Sequence, residues 1–355
     1  MEENPVYDKR YKLHEREPSP LLQFLSEYNL QSVGWIHIDS KGYHPVNPEY
    51  TYTRKSKEFI VKPSKIKMLE NQEKYQLPIF KCLSFDFEAY SHVETRIPIA
   101  TDKKDPIFQI GFTTFDKDSG EVENVLTIST QKKMKKIPNT NINVTSFSKE
   151  KDMIEYFCEF IKEYNPTIVM GYNIFGFDLP FLHDKCLIHG IDLPSLGMSK
   201  DRKAKYNEIK WTSSAYSCQE FHFYDFDGRI LVDLLPIVKR DYKLANYKLK
   251  TVSSEFLSGD TKDPMSVKGI FEAYRLGSLG GDTKLLAKCA KYCSQDARLV
   301  LKLFDKLKYL VGLIEMARLC NTQIMDLYVK GQQLKVFSQI YKKCYNEKRL
   351  VDSYD

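Results

Sequence analysis

The stretch IFKCLSFDFEAYS, residues 79–91, reads as a buried strand in which two acids interrupt an apolar run. Residues two apart in a strand point to the same side, so Asp86 and Glu88 lie next to each other. Phe85 and Phe87 cover the other face, and both ends of the strand are apolar, so a solvated face explains the acids poorly. A shared divalent cation explains them better, because carboxylate oxygens are the ligands that Mg²⁺ and Mn²⁺ prefer.

The segments that follow predict a mixed α/β sheet. Two further strands are separated by the turn DKDSGE, and they are followed by a helix, a short apolar strand and a second helix. Strands that meet in a hairpin and continue as helix, strand and helix are typical of this class. The predicted elements are strands at 105–116, 121–130 and 167–172, with helices at 149–164 and from Asp178 to 190.

A third acid stands at a junction between a strand and a helix, in GYNIFGFDLPFL, residues 171–182. Asp178 precedes Leu179 and Pro180, where an aspartate that caps the helix is the ordinary interpretation. The aromatic loop before it, with Asn173, lies at the end of a buried strand, where sites collect in α/β sheets.

A fourth acid lies in the long helical pattern around KYCSQDARLV, residues 291–300. Asp296 interrupts an apolar stripe, and Tyr292 lies one turn before it, so both side chains project to the same place. A carboxylate on a buried stripe costs several kcal/mol unless hydrogen bonds, a cation or a metal satisfy it. A Tyr–Asp hydrogen bond in the core is the alternative. The stripe comprises Leu285, Cys289, Tyr292, Asp296, Leu299 and Leu303.

Length and composition restrict the protein class only loosely. The 355 residues suggest about two or three domains, and the net charge of +6 permits an anionic partner without requiring one. The eight cysteines form no CxxC and no zinc-like cluster, so we expect free thiols in a reducing compartment. The charged N-terminus lacks the apolar region of a signal peptide, and no apolar run approaches a membrane span. We therefore expect a soluble intracellular protein.

Taken together, the three motifs resemble the proofreading 3′→5′ exonuclease domain of family B DNA polymerases, which has an RNase H-like fold and belongs to the DEDDy exonucleases. SFDFEAYS, GYNIFGFDLPFL and KYCSQDA correspond to its three exonuclease motifs. The resemblance extends to SVGWIHI in the N-terminal domain, to GRILVDLLPIVKRDYKLANYKLKTVSSEFL between the second and third motifs, and to LIEMARLC and KGQQLKVFSQIYKKC after the core. Details of the sequence resemble the eukaryotic delta-type catalytic subunit and the polymerases of large DNA viruses.

The resemblance implies a role for each acid. Asp86, Glu88 and Asp296 would bind one divalent ion, Mg²⁺ or Mn²⁺, while Asp86 bridges to a second ion that Asp178 holds directly or through its waters. Tyr292 with Glu88 would orient the attacking water. In the metal-free protein at least one of these clustered carboxyls should have a raised pKa.

The resemblance also implies contacts with DNA, since the substrate must be a frayed single strand. Phe175, Phe177 and Leu179 would stack on or wedge the last bases, and Asn173 would hydrogen-bond the terminal nucleotide. Lys248, in NYKLK, is a candidate phosphate contact, with a solvated lysine as the alternative. A β-hairpin at about 205–228 resembles the element that helps to separate primer from template. The lysine-rich loop QKKMKKIPNTN reads as a solvated loop, with a phosphate contact as the alternative.

The predicted domains are part of an N-terminal α+β domain at 1–77, the exonuclease domain at 78–310 and a helical segment at 311–355. The palm motifs DxxSLYPS and YxDTDS do not occur, so we expect the chain alone, a monomer, to synthesise no DNA. A separate palm and thumb polypeptide is a possible partner, with the single-stranded 3′ end and primer–template DNA as ligands. The expected location is the nucleus or a cytoplasmic viral replication site.

Two other functions stay open on the sequence. One is a free-standing DEDDy exonuclease, although the WIHI segment and the helices after the core argue against it. The other is a non-catalytic module that binds DNA or a polymerase, although the presence of all four acids and Tyr292 argues against that.

Overall fold

A computed structural model describes residues 18–55, 57–191, 196–202, 205–213, 217–224, 226–258 and 265–351. Residues 1–17 of the predicted N-terminal domain and residues 214–216 of the predicted hairpin lie outside the described residues.

The predicted elements are present in the order expected. The strands are β1 (Ile36–Ile38), β2 (Tyr43–Pro45), β3 (Phe59–Val61), β4 (Ile66–Met68), β5 (Lys81–Ala89), β6 (Ile107–Asp116), β7 (Val122–Ser129), β8 (Ile142–Phe147), β9 (Ile168–Gly171), β10 (Tyr206–Ser213), β11 (Ser217–Tyr224) and β12 (Ile230–Asp233). The helices are α1 (Pro20–Glu27), α2 (Glu150–Tyr164), α3 (Leu179–His189), α4 (Leu234–Asp241), α5 (Leu249–Phe256), α6 (Val267–Glu272), α7 (Thr283–Lys306), α8 (Tyr309–Cys320), α9 (Asp326–Val329) and α10 (Gln332–Asn346).

The described residues divide between two compact units. One contains those of Met1–His44, Phe59–Gln76 and Gly312–Asp355, and the other contains those of Pro45–Glu58 and Leu77–Val311. In the first unit, α1 packs against α10, and β1 pairs with β4. Lys342 of α10 donates a hydrogen bond of 2.6 Å to the carbonyl of Leu30, which fixes the end of the α1 segment.

The second unit is built on a mixed sheet in which the described strands have the order β12-β9-β5-β6-β7-β8. β5, β6 and β7 form an antiparallel meander, and β9 and β12 run parallel to β5 on its other side. This arrangement confirms the predicted mixed α/β sheet. β8, which pairs parallel with β7, was not predicted, because only a loop was expected between β7 and α2.

Helices cover the two faces of this sheet. On one face, the ring of Phe157 of α2 lies 5.5 Å from the rings of Phe85 and Phe112. On the other face, α7 approaches so closely that a Cβ at Gly111 would lie 3.0 Å from the backbone of Cys293. A lone glycine inside a strand often marks such a close approach, and here it brings α7 onto β5 and β6.

Beyond the sheet, β10 and β11 form the predicted antiparallel hairpin, paired from Tyr206 with Tyr224 to Ser213 with Ser217. The base of the hairpin is attached to α3, because the ring of His183 stacks 3.9 Å from that of Tyr206. Within the described part of the chain, none of the helices combines the length and apolar composition that crossing a membrane requires.

Candidate active site

β5 presents the first two acids on the face that α7 covers. Asp86 pairs directly opposite Gly111, and Glu88 pairs opposite Gln109, whose amide donates to the carbonyl of Leu286 in α7. Glu88 is buried and Asp86 is half-buried. The pair therefore points between sheet and helix rather than towards a solvated face.

α7 presents the tyrosine and the acid of the third motif. Asp296 is 5% exposed and Tyr292 is half-buried, one turn before it. The thiol of Cys293 donates to the carbonyl of Asp86 across 3.5 Å, at the point where Gly111 permits the close approach. The spacing of Tyr292 and Asp296 thus places both side chains over the strand that carries Asp86 and Glu88.

The turn between β9 and α3 presents Asp178. Asn173 begins this turn in the left-handed conformation, with φ of 66°, and a π-helical turn continues from Ile174 to Asp178. The Asp178 side chain makes no capping hydrogen bond to α3, so the ordinary capping interpretation does not apply. Its carboxyl is 4% exposed and faces the acids of β5.

Asp233, which was not predicted as a site residue, holds this turn in place. One carboxylate oxygen accepts from the backbone N–H of Asn173 at 2.8 Å and of Leu235 at 3.0 Å. The other oxygen accepts from the N–H of Phe175 at 3.0 Å. The signal was available, because Asp233 ends a buried strand (GRILVDLL) at the edge where such sites collect.

These three elements enclose one cavity of about 210 Å³. It brings together all five predicted catalytic side chains and two of the predicted DNA contacts, together with Phe87 and Tyr172, which were not predicted as site residues. The lining residues are Asp86, Phe87, Glu88, Tyr172, Asn173, Phe177, Asp178, Tyr292 and Asp296.

Burial and like charge dominate the electrostatics. Burial raises the pKa of the Asp178 carboxyl well above its usual range, and the charges of Asp86 and Asp233 add to the rise. This is the direction expected for clustered acids. Burial also raises the pKa of Asp233 to about 6, although its three backbone donors act in the opposite direction.

The donor atoms fit a hard divalent cation. Ligand atoms of Asp86, Glu88 and Cys293 lie within 4.8 Å of one another. Burial, with the charges of Asp86 and Glu88, raises the pKa of the Cys293 thiol, so this sulfur stays protonated. Carboxylate oxygens are then the available donors, as Mg²⁺ and Mn²⁺ require.

The other predicted DNA contacts lie outside the cavity. Phe175 and Leu179 are each 1% exposed, and Phe175 packs against Phe221 and Phe223 of the hairpin. A base could stack on either only after the surrounding side chains moved, so burial argues against both predicted contacts. Lys248 is exposed at the start of α5 and follows Tyr247, whose carbonyl accepts from the Tyr172 hydroxyl at 2.6 Å.

Comparisons with known proteins identify the family of the chain. The family described as DNA polymerase family B, exonuclease domain, matches residues 11–252. The protein named DNA polymerase 120R from Invertebrate iridescent virus 3 is 39% identical over 94% of the chain, which spans 30% of that relative. The DNA polymerase delta catalytic subunits of Oryza sativa subsp. japonica and Caenorhabditis elegans are each 30% identical over 93% and 94% of the chain.

The chain spans about 30% of the length of these curated relatives. The family match covers well over half of the chain and includes β5, with Asp86 and Glu88, and the turn that carries Asp178. The chain therefore belongs to DNA polymerase family B and contains the exonuclease domain of that family.

Proposed function

We propose that the chain is the N-terminal, proofreading part of a DNA-directed DNA polymerase that acts in replication. In this proposal it removes nucleotides from single-stranded or mispaired 3′ ends of DNA. The observation that supports it is the single cavity lined by acids from three separate segments, together with a tyrosine one turn from the last acid. A purely structural core would not collect four acids around a shared space, because their mutual repulsion is costly.

In this proposal two divalent ions, Mg²⁺ or Mn²⁺, are held by Asp86, Glu88, Asp178 and Asp296. When bound, such ions lower the pKa of water and stabilise charge that develops on the attacking and leaving oxygens. They would also offset the charge repulsion that adds to the rise, caused mainly by burial, in the pKa of Asp178.

The residues of the chain position the reactants. Tyr292 and Glu88 would hold the attacking water in line with the terminal phosphodiester. The new bond joins the water oxygen to phosphorus as the bond from phosphorus to the 3′ oxygen breaks. A proton leaves the water, the 3′ oxygen gains one, and the products are a 5′-mononucleotide and a shortened strand.

Substrate binding would use the lining of the cavity. The side-chain amide of Asn173 would form a hydrogen bond with the terminal nucleotide. Phe177, which is half-buried, would stack on a base. Lys248 would contact a phosphate from outside the cavity. The β10–β11 hairpin would help to separate primer from template, so that a frayed end reaches the acids.

We further propose that residues 78–310 act as the exonuclease domain, with residues 1–77 contributing to an N-terminal domain and residues 311–355 leading towards polymerase sequences. The partners would be primer–template DNA and a palm-containing polymerase portion, which could be a separate polypeptide. The expected location is the nucleus or a cytoplasmic viral replication site, and we expect the chain by itself to be a monomer.

The test is an assay on single-stranded DNA with a labelled 3′-terminal nucleotide. With Mg²⁺, the chain should release mononucleotides from the 3′ end, and EDTA should stop the release. A matched duplex should resist, because unpairing terminal bases costs a few kcal/mol. Release from the 5′ end, or cleavage without metal, would contradict the proposed reaction. DNA binding with no cleavage at high protein concentration would favour the non-catalytic alternative.

A further inference from the structure

A row of basic side chains follows the outer side of α7. Lys284, Lys288 and Lys291 recur at steps of four and three, so they lie on one face of the helix, and all three are exposed. No acid interrupts this row as it continues through Gln295 and Arg298. It lies one position, or about 100° of helix rotation, from the face that carries Tyr292 and Asp296.

The loop after β7 adds four more exposed lysines: Lys132, Lys133, Lys135 and Lys136. Two apolar anchors hold the loop against α7. Met134 and Ile137 are buried in the same core cluster as Leu286, Ala287 and Ala290. Near the start of α7, a Cβ at Gly281 would lie 3.6 Å from the side chain of Lys132. The loop and the helix therefore form neighbouring parts of one surface.

Hydrogen bonds keep this loop in a fixed place. The N–H of Gln131 donates to the carbonyl of Ser278 at 2.9 Å, and the N–H of Met134 donates to the hydroxyl of Ser146 at 2.9 Å. Among the described residues, no carboxylate pairs with the side chains of the four loop lysines or with Lys284, Lys288 and Lys291. Seven exposed lysines on one surface raise the local positive potential and attract a polyanion.

We propose that these seven lysines, the basic track, bind the phosphate backbone of the nucleic-acid strand whose 3′ end enters the cavity. Lys291 immediately precedes Tyr292, so the track begins beside the cavity lining. At 1.5 Å per residue, Lys284 lies about 12 Å from Tyr292 along the helix, with the loop lysines beyond it. The track therefore lies where phosphates upstream of the scissile bond can reach it. This inference rests on the proposed function, since it assigns the direction of the substrate strand.

The experiment compares two substrates and three double variants of the full chain. Lys284→Gln with Lys288→Gln removes part of the helix row, and Lys133→Gln with Lys135→Gln removes part of the loop. The control, Lys149→Gln with Lys151→Gln, removes the same charge at the start of α2, on the other face of the sheet. Binding of a single-stranded 20-mer is measured by fluorescence anisotropy in EDTA over a range of salt concentrations.

Each track variant should bind the 20-mer about tenfold more weakly at low salt than the control does. The negative slope of the logarithm of the association constant against the logarithm of the salt concentration should become shallower by about 1.4. Each lost contact to a single strand contributes about 0.7 to this slope. Cleavage of a trinucleotide, whose phosphates should not extend to the loop lysines, should keep its wild-type rate in the loop variant and in the control.

Unchanged affinity and salt slope in both track variants would mean that the lysines are only solvated, and the track would be rejected. Weaker retention on immobilised polyglutamate with unchanged DNA affinity would assign the surface to an acidic protein segment, which also rejects it. Trinucleotide cleavage by the wild-type protein reports separately on the proposed function, so the two can fail independently.

Discussion

The two regions that carry acids into the cavity are held in different ways. β5 is paired along its length with β6 and, at Cys82–Ser84, with β9, so the pleat alone directs Asp86 and Glu88 to one side. The turn that carries Asp178 has no such ladder. It begins at a left-handed Asn173, continues as a π-helical turn and depends on a carboxylate 60 residues further along the chain.

The positions of the acids are set by local strand geometry in β5 and by distant contacts in the turn. On β5 the positions of the acids follow from their spacing, and the surrounding ladder survives the loss of either side chain. In the turn, the backbone path itself depends on three hydrogen bonds to Asp233. Removing an acid from β5 should therefore abolish chemistry without harming the fold, while changing Asp233 should disturb geometry without removing a cavity acid.

The largest effect is expected for Asp86→Ala with Glu88→Ala. Exonuclease activity should fall at least about 1,000-fold, because metal-assisted catalysis contributes several kcal/mol and each 1.4 kcal/mol is tenfold in rate. The melting temperature in EDTA should stay the same or rise, since repulsion within the cavity is relieved. Nucleotide release and thermal unfolding measure the two quantities.

A matched control removes two exposed acids from the β6–β7 turn, as Asp118→Ala with Glu121→Ala. This control should keep full activity. If the Asp86 and Glu88 variant unfolds while the control does not, the pair stabilises the sheet and the contrast with the turn disappears.

The next effect is expected for Asp233→Asn. An amide offers one acceptor oxygen where the carboxylate offers two, so it cannot serve Asn173, Leu235 and Phe175 as the native side chain does. A shift of about 1 Å in catalytic geometry can cost about 100-fold in rate. We expect a fall of that order in kcat on a trinucleotide, with a much smaller change in KM.

Asp241→Asn, at the other end of α4 and exposed, is the matched substitution and should leave kcat unchanged. Activity is expressed per folded molecule, which separates a displaced turn from a simple loss of stability. Native kcat in a folded Asp233→Asn protein would show that the turn keeps its path without the carboxylate.

The same contrast explains what could be predicted from the sequence. The pair on β5 and the pair on α7 follow from periods of 2 and 3.6 residues, and the structure brings both pairs into the lining of one cavity. Strands and helices with clear apolar patterns were also predicted, whereas β8, an edge strand with mostly half-buried residues, was not.

Features that depend on contacts between residues far apart in the chain could not be predicted from the local sequence pattern. The spacing in GYNIFGFDLPFL does not reveal that Phe175 turns inward onto the hairpin while Phe177 lines the cavity. Likewise, the importance of Gly111 depends on α7, which approaches it from more than 170 residues along the chain. These features are determined by tertiary packing and not by the periodicity of the local sequence.

A smaller effect is expected for Tyr292→Phe, which keeps the ring and removes one hydroxyl. If this hydroxyl orients the attacking water, kcat should fall about 10- to 100-fold, and the affinity for single-stranded DNA should change little. Tyr156→Phe is the matched control, because Tyr156 is also half-buried but belongs to α2. Equal rates for the two variants would mean that Tyr292 only packs the core.

The smallest effect concerns stability and pH in the metal-free protein. The pKa of Asp233 is raised to about 6 by burial, whereas an unfolded aspartate has a pKa near 3.9. Between these values the folded state binds more protons than the unfolded state, so stability from this group is present below about pH 4 and is lost as the pH rises through 6. The free energy of unfolding of the wild type, relative to Asp233→Asn, should therefore fall by about 1–3 kcal/mol over this window.

Measuring the difference between wild type and variant cancels the other acids that titrate in this range, apart from Asp178, whose pKa the charge of Asp233 also raises. The lost acceptor in Asp233→Asn lowers stability by an amount that does not depend on pH, so it shifts the curve without changing its slope. A flat difference for Asp233→Asn would mean that its carboxyl titrates normally. Burying the charged carboxylate of Asp233 would then cost no free energy. The turn would differ from β5 only in its backbone geometry.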